Sequence, residues 1–223
     1  MDRRVAEEKE SGQKKRGRKP DEQAEVKEPK INLTDEDSRI MKTRQGYIQG
    51  YNAQAAVDCE TQVIVGQAVT QDCNDKKQLE PMMAIIEAQS GETAEIILAD
   101  AGYCSEANLS LETEETELFI AVNKEWKTKQ AQREEGSPRG RIPQGLTSTQ
   151  LMERKLLTQR GRKYYRLRGK TVEPVFGQIK TCRGITTLRL RGKAGADLEW
   201  SLCCTTHNLL KLWRWGMKNA SKN

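Results

Sequence analysis

The sequence is poor in aromatic residues, has a single histidine and contains no long apolar run. Of its 223 residues, 35% are hydrophobic and 5% aromatic, while 31% are charged. This hydrophobic share is low for a compact domain of that length, so we expect part of the chain to be unfolded. No apolar run approaches the 18 residues of a membrane-spanning helix. The N-terminal residues also lack the apolar segment of a secretory signal, so the expected location is the cytoplasm.

Cysteine and histidine offer little for metal or thiol chemistry. None of the six cysteines forms a CxxC pair and His207 is the only histidine, so a zinc site is not expected. Cys203 and Cys204 near His207 would suit a catalytic fragment, but we favour the interpretation that they are small buried residues on a helix. We interpret all six cysteines as reduced thiols.

Charge is distributed unevenly along the chain. The net charge of +6 divides into +2 for residues 1–30, −9 for residues 31–150 and +13 for residues 151–223. A strongly basic stretch after an acidic one is typical of proteins that bind a phosphate backbone. A solubilising basic surface would give the same pattern.

Hydrophobic periodicity predicts an α/β fold that begins with a hairpin. Residues 51–58 and 61–70 read as two strands joined by a short turn. Asp75 is predicted to cap a helix over residues 76–89. The other predicted elements are strands at 95–100 and 117–122, a short helix capped by Ser105, and helices at about 148–167, 171–182 and 194–215. The predicted segments are a disordered region at 1–40, one domain at 41–217 with a loop at 124–146, and a tail at 218–223.

Two acidic residues stand out as candidate ligands. Asp100 ends a strand predicted to be buried, and the carboxyl edge of such a strand is where open α/β sheets place their sites. An Asp before Ala-Gly is also a common turn former. Glu173 is the only acid between Glu153 and Asp197, within a strongly basic stretch. It fits either an ion-paired surface residue or a metal ligand beside bound phosphates.

The order of several short motifs resembles a known family, the DDE-type insertion-sequence transposases with a ribonuclease-H-like catalytic domain. The resemblance extends from about Asn32 to Trp215. Its motifs are Asn32–Arg39, Gly50–Asp58, Val69–Asp75, Leu98–Tyr103, the block around Glu173, and Glu199 through Asn208. The family's fold is a mixed sheet flanked by helices.

The resemblance implies roles for individual residues. Asp100 matches the second Asp of the catalytic triad and Glu173 its Glu, which together would bind Mg²⁺ or Mn²⁺. Tyr165, Arg168, Glu173 and Lys180 match a Tyr-Arg-Glu-Lys signature, with one extra residue between Arg168 and Glu173. The DNA-binding residues expected on this basis are Tyr165, Arg168, Lys180, Arg183, Arg189 and Arg191. The implied partners are transposon-end and target DNA and a second copy of the chain in a synaptic complex, with no membrane involved.

The first Asp of the triad has no counterpart in the sequence. In the family it lies on the first, central strand, ahead of the hairpin, and no strand ending in such a motif precedes residue 51. We therefore expect an N-terminally truncated transposase whose sheet lacks its central strand, unless the hairpin pairs directly with the Asp100 strand. Asp58 is expected at the opposite edge of the sheet, whereas Asp72 and Asp75 are expected near Asp100. Asp75 and Asp35 are the substitutes to test.

The sequence leaves three hypotheses open. The first is a transposase catalytic-domain fragment that is inactive alone. The second is a non-catalytic DNA-binding protein derived from a transposase. The third is a decayed reading frame without a folded product.

Overall fold

The structure of the protein is a computed structural model, which describes residues 31–43, 46–122 and 136–220. Contacts divide the chain into Met1–Ile31 and Asn32–Asn223, and every element below belongs to the second unit. Residues 1–30 of the predicted disordered segment lie outside the described residues. So do residues 124–135 of the loop predicted at 124–146. The predicted domain boundaries at 41 and 217 stay predictions.

The described elements form an α/β fold with three strand pairs. The strands are β1 (Arg39–Thr43), β2 (Gly46–Gly50), β3 (Asn52–Val57), β4 (Ile64–Thr70), β5 (Ile96–Ala99) and β6 (Glu117–Ile120). The helices are α1 (Leu79–Ser90), α2 (Glu106–Leu109), α3 (Ser148–Leu157), α4 (Gln159–Gly177) and α5 (Lys193–Ala220), and a π-helical turn spans Gln178–Cys182. No helix in these ranges is long and apolar enough to cross a bilayer.

The sheet pairing confirms the predicted hairpin and corrects one alternative. β3 and β4 are antiparallel, with Ala53 opposite Val69, and β5 and β6 are parallel, with Ala99 opposite Ile120. β1 and β2 form a further antiparallel pair that the sequence analysis did not predict. Within the described residues β3 does not pair with β5, so direct pairing of the hairpin with the Asp100 strand is wrong.

Two hydrophobic clusters support the fold. The first lies between the β3–β4 hairpin, the end of α4 and α5, and its fully buried members include Val175 and Ala196. The second surrounds the β5–β6 pair, where Leu118 and Ile120 are fully buried, and includes Met152 of α3. A continuous apolar strand such as β6 is what a parallel pair covered by helices requires.

The break between α3 and α4 lies at Thr158. The sequence had predicted it near residue 169. Thr158 is extended, with ψ of 159°, and its side chain caps α4 by accepting a hydrogen bond from Gly161 N. A Cβ at Gly161 would lie 2.1 Å from the Lys155 carbonyl oxygen, so only glycine fits this close junction of α3 and α4. Gly169 stays inside α4, since one interior glycine costs only about 1 kcal/mol.

Pro174 shapes the part of α4 that carries Glu173. A proline has no N–H for the carbonyl four residues earlier, which here belongs to Lys170. The Gln62 side chain takes that place and donates to the Lys170 oxygen at 3.0 Å. Gln62 has φ of 59° in the β3–β4 turn. The hairpin turn is therefore fastened to the helix next to Glu173.

Candidate functional site

Asp100 follows β5 directly and forms the turn that the sequence suggested. Its Oδ1 accepts a hydrogen bond from Gly102 N at 2.7 Å, and its carbonyl oxygen accepts one from Tyr103 N at 3.2 Å. The residue is nevertheless exposed. The turn-forming and site-forming interpretations are therefore compatible, because the turn fixes a carboxylate at the carboxyl end of β5, next to the buried Ala99.

Asp75 lies beside Asp100, and its predicted role as a helix cap is wrong. α1 begins three residues later than expected, at Leu79, with Gln78 at the cap position. The Asp75 Oδ1 instead accepts hydrogen bonds from Asn52 Nδ2 and Gln54 Nε2, both at 2.7 Å. The side-chain amides of β3 thus hold this carboxylate, because residues 52 and 54 share one face of the strand.

Gly102 lets the two carboxylates approach each other. A Cβ at this position would lie 2.7 Å from Asp75 Oδ2 and 2.9 Å from Asp100 Oδ1. The two oxygens are therefore at most 5.6 Å apart, the sum of those two distances. The prediction that Asp75 lies near Asp100 is confirmed, and any larger residue at position 102 would intrude between them.

Tyr103 completes the network behind the pair. Its hydroxyl donates a hydrogen bond to Gln54 Oε1, which orients the amide that binds Asp75. Burial raises the pKa of Tyr103, and the negative charges of Asp75 and Asp100 raise it further. The phenol therefore stays protonated as a donor. This network was not predicted, although the polar pair at positions 52 and 54, followed by Asp75, was an available sequence signal for it.

Glu173 reaches the same region from α4. Its side chain is 65% exposed, and its Oε1 lies 3.3 Å from the Arg168 guanidinium. Arg168 is 5.7 Å from the ring centre of Tyr165. Burial raises the pKa of Tyr165, which also responds to the charges of Arg168, Asp100 and Glu173. Tyr165 is therefore within electrostatic reach of both candidate carboxylates.

A cleft of about 250 Å³ lies beside Asp75 and Asp100. β3 and β5 form its two sides, and α1 contributes apolar residues such as Met82. Asp75, Asp100, Tyr103 and Arg168 all line it. The structure thus brings Asp100 and Arg168 to one cleft, and Arg168 in turn contacts Glu173 through an ion pair and lies beside the Tyr165 ring.

The donor chemistry suits a hard divalent cation. Carboxylate oxygens are the ligands that Mg²⁺ prefers, and Mg²⁺ usually keeps several waters while using one or two protein carboxylates. Among the described residues no three His, Cys, Asp or Glu side chains are close enough together to form a metal cluster. The Asp75–Asp100 pair fits such an ion in oxygen chemistry, and Glu173, whose Oε1 is ion-paired with Arg168 of the same cleft, is a further carboxylate.

The remaining expected cations occupy different settings. Lys180, seven residues after Glu173, is exposed, and its ammonium lies 5.7 Å from the centre of the Phe176 ring. Arg183 Nη1 lies 3.3 Å from Nδ1 of His207 and so supports the core. Arg189 and Arg191 are exposed on the segment before α5.

Cys203, Cys204 and His207 have structural roles, as expected. Cys203 and Cys204 are buried on α5, and burial raises the pKa of the Cys204 thiol to about 12. His207 is fully buried, and its Nε2 donates to the Gln62 carbonyl oxygen at 2.9 Å. A thiol that holds its proton so firmly is not an activated nucleophile.

The other alternative acids serve local structure. Asp58 caps its own turn by accepting hydrogen bonds from Thr61 N and Oγ1. Asp35 accepts a hydrogen bond from the Tyr51 hydroxyl at 2.7 Å and another from Gly192 N at 3.2 Å. Neither Tyr51 nor Gly192 lines the cleft. Of the two substitutes singled out by sequence, Asp75 is therefore the one beside Asp100.

Comparison with known proteins decides the family. Residues 12–209 match the sequence family described as the transposase DDE domain, which covers most of the chain. The chain belongs to the DDE transposase family. The resemblance noted from its motifs is confirmed, and the matched region of this transposase-family chain contains both Asp100 and Glu173. No curated protein and no solved structure matches the chain.

Family membership fixes the general setting of the site. Transposition acts on DNA, so DNA is the partner of this family. The basic C-terminal stretch of this transposase-family chain is consistent with that partner.

Proposed function

We propose that the chain is a fragment of a transposase catalytic domain from a bacterial insertion sequence. In it, Asp100 and Glu173 bind Mg²⁺ or Mn²⁺ for DNA cleavage and strand transfer in the cytoplasm. The observation that carries the proposal is the meeting of Asp100 and Arg168 at one cleft, with Glu173 ion-paired to Arg168 and the Tyr165 ring centre 5.7 Å from Arg168. Such a cleft combines hard oxygen ligands with cations that suit a phosphodiester.

Each residue has a distinct task in this proposal. Asp100 and Glu173 hold the cation, and Asp75 supplies the carboxylate that the sequence analysis could not place. A bound divalent cation would provide an activated water and charge stabilisation at the reacting phosphate. Arg168 and Lys180 neutralise phosphate charge, and the protonated Tyr165 packs or donates a hydrogen bond along the strand. Arg183, Arg189 and Arg191 lie in the basic region that would follow the DNA backbone.

We further propose that the sheet is ribonuclease-H-like and lacks its central strand, which makes the chain inactive alone. The support is the arrangement of β3 and β5 on opposite sides of one cleft, each paired on its other side only, within the described residues. A strand between them would close both edges and bring a further carboxylate to the level of Asp100. Asp75 occupies part of that polar space in its absence.

DNA binding and nicking test this function together. The purified chain is titrated with duplex DNA carrying an element end, with Mg²⁺ or Mn²⁺, across a salt series. We expect binding that weakens steeply with salt and no nicking. Nicking that disappears in Glu173→Gln would contradict inactivity while supporting the site. Absence of binding at low salt would contradict the DNA-acting function.

A second candidate is a non-catalytic DNA-binding protein, favoured by the +13 charge of residues 151–223 and the exposure of Arg189 and Arg191. Metal binding separates the two candidates without any turnover. Mn²⁺ binding is measured by the loss of the electron paramagnetic resonance signal of free Mn²⁺. The proteins compared are the unmodified chain, Asp100→Asn and, as the matched control, Asp58→Asn. The catalytic proposal predicts at least about tenfold weaker Mn²⁺ binding in Asp100→Asn only. Equal binding by all three proteins, together with unchanged DNA affinity, would favour the second candidate.

A further inference from the structure

An apolar stripe runs along the outer face of α5, away from its packed face. Leu198, Leu202, Leu209 and Trp213 are 67%, 65%, 61% and 67% exposed. At 100° per residue these four positions fall within an arc of about 60°. Trp200, Cys203 and His207 occupy roughly the opposite arc and are buried. α5 is therefore apolar on two faces, of which, within the described part of the chain, the hairpin covers one.

The spacing of the stripe reads the same in both directions. Successive members are four, seven and four residues apart, so the midpoint falls between Thr205 and Thr206. Two such helices placed antiparallel about this midpoint would set Leu198 opposite Trp213 and Leu202 opposite Leu209. A surface that matches a copy of itself is what a twofold interface requires.

The stripe carries no charge that would oppose this pairing. Glu199 and Lys211 are the only charged residues between Leu198 and Trp213, and both are used inside their own fold. Glu199 Oε2 accepts hydrogen bonds from two backbone amides before α5, at 2.6 and 2.8 Å. Lys211 Nζ donates to Gln62 Oε1 at 2.6 Å. Two copies can therefore approach without facing like charges.

The centre of the stripe can also be buried without an unpaired polar group. The hydroxyl of Thr205 donates to the Ser201 carbonyl oxygen at 2.9 Å, and that of Thr206 to the Leu202 carbonyl oxygen at 2.8 Å. Both side chains thus satisfy their donors within the helix. Small, internally bonded residues at the midpoint allow two helices to come close.

The size of the stripe suits a modest dimer. If each of the four side chains exposes on the order of 100 Å², two copies would bury roughly 800 Å² from the stripe alone. Flanking contacts would bring the total to about 1,000 Å², where specific interfaces begin. DNA is not a suitable occupant, because the stripe has no cations for its phosphates.

We infer that this face of α5 is the interface of a symmetric antiparallel dimer of the chain. The inference goes beyond the proposed catalytic role and does not depend on it, since it uses neither Asp100 nor Glu173. It places the second copy on the outside of α5, while the cleft lies beyond β3 on the other side of the hairpin.

Sedimentation equilibrium tests the interface in the full chain. The double variant L202E/L209E should raise the dimer dissociation constant by about 100-fold or more, since each change acts twice in a twofold interface. L151E, at a 42% exposed leucine of α3, is the matched control and should leave the dissociation constant unchanged. Circular dichroism checks that all variants stay folded. A wild-type chain that is monomeric throughout, or a double variant that dimerises as tightly as wild type, would overturn the inference.

Crosslinking then tests the antiparallel register. The exposed Cys59, Cys73 and Cys182 are first replaced by serine. A mixture of L202C and L209C chains should then form a disulfide-linked heterodimer, while L202C alone should not crosslink. Efficient crosslinking of L202C with itself would indicate a parallel pair or another partner arrangement, and would overturn the proposed geometry.

Discussion

The two edges of the β3–β4 hairpin differ in what their outward-facing backbone groups contact. On the β4 side, α5 supplies side chains that bind the outward-facing backbone. Asn208 accepts a hydrogen bond from Ile64 N and donates one to Ile64 O, both at 2.8 Å, and Asp197 accepts one from Val69 N at 3.1 Å. On the β3 side, the backbone faces the cleft that contains Asp100.

Strand register makes this comparison specific. Val69 is paired with Ala53, and its N–H points away from β3, towards Asp197. In an antiparallel ladder the residue opposite then also directs its N–H outward. Ala53 therefore presents its amide to the cleft, as does Ala55 two residues on. One edge has been closed by a helix, and the other remains suited to a further strand, which is the usual liability of an edge.

The largest expected loss of stability comes from removing a buried side chain of α5 that packs against the hairpin. Trp200 is 5% exposed, stacks on Phe176 with ring centres 5.8 Å apart, and donates its Nε1–H to the Gln54 carbonyl oxygen at 2.8 Å. Trp200→Ala should reduce the free energy of unfolding by about 3–5 kcal/mol, measured by urea denaturation. Trp215→Ala, at a 67% exposed position, is the control and should change it by less than about 0.5 kcal/mol. Similar values for both would show that α5 does not close the hairpin.

A smaller loss of stability should follow from removing the side chain that binds the backbone N–H and C=O of Ile64 in β4. Asn208→Ala leaves the N–H and C=O of Ile64 without their side-chain partner. The expected cost is about 1–3 kcal/mol, since a partly buried backbone group loses its hydrogen bond. Trp215→Ala, at an exposed position of the same helix, serves again as the control, with little change expected. Thermal unfolding of both variants measures the difference, and a neutral Asn208→Ala would remove this part of the account.

Acidification should lower the free energy of unfolding through His207, which lies on α5 at the β4 side of the hairpin. Burial lowers the pKa of His207, and the nearby charges of Arg183, Lys211 and Arg214 lower it further. The unfolded chain, with the ordinary pKa near 6.5, therefore binds a proton before the folded chain does. Stability should be fully present above about pH 6.5 and decline as the pH falls through the lower folded pKa, by at most about 1.4 kcal/mol per pH unit. Urea titrations of wild type and His207→Gln from neutral pH downwards measure this, and identical profiles would contradict it.

The smallest expected effect concerns an exposed ion pair outside the hairpin. Arg160 Nη2 lies 2.6 Å from the Glu117 carboxylate at the start of β6, and the Arg160 side chain is 63% exposed. Arg160→Ala should change the free energy of unfolding only slightly, because solvent screens such pairs. High salt should shrink the difference from wild type further. A loss as large as that of Asn208→Ala would mean that charge pairs rather than backbone closure dominate stability.

Much of the fold could be predicted because local patterns decide it. The alternating β3–β4 hairpin and the apolar runs of β5 and β6 were visible in the sequence, as was the Ser105 cap, which accepts a hydrogen bond from Asn108 N. β1 and β2 were missed because most of their residues are exposed, so no buried face marks them. The break between α3 and α4 was misplaced because a Thr158 cap and a close contact at Gly161 outweigh an interior glycine.

The site was only partly predictable for a similar reason. Asp100 and Glu173 are identified by motif, which needs no geometry. The proximity of Asp75 depends on Asn52, Gln54 and Gly102, whose roles arise from contacts between segments distant in sequence. Asp75 was interpreted as a cap because capping is a local rule, whereas its contacts with β3 are tertiary.

Amide hydrogen exchange at one residue pair tests the open edge most directly. Ala53 and Val69 are opposite each other in the hairpin, so global unfolding exposes both equally. Residue-resolved exchange by NMR should show the Val69 amide protected by Asp197 and the Ala53 amide exchanging at least about tenfold faster. Asp197→Ala should reduce the protection of Val69 towards that of Ala53. Equal, strong protection of both amides in the wild-type chain would show that β3 already has a second partner, and would contradict the proposal that a strand is missing beside β3.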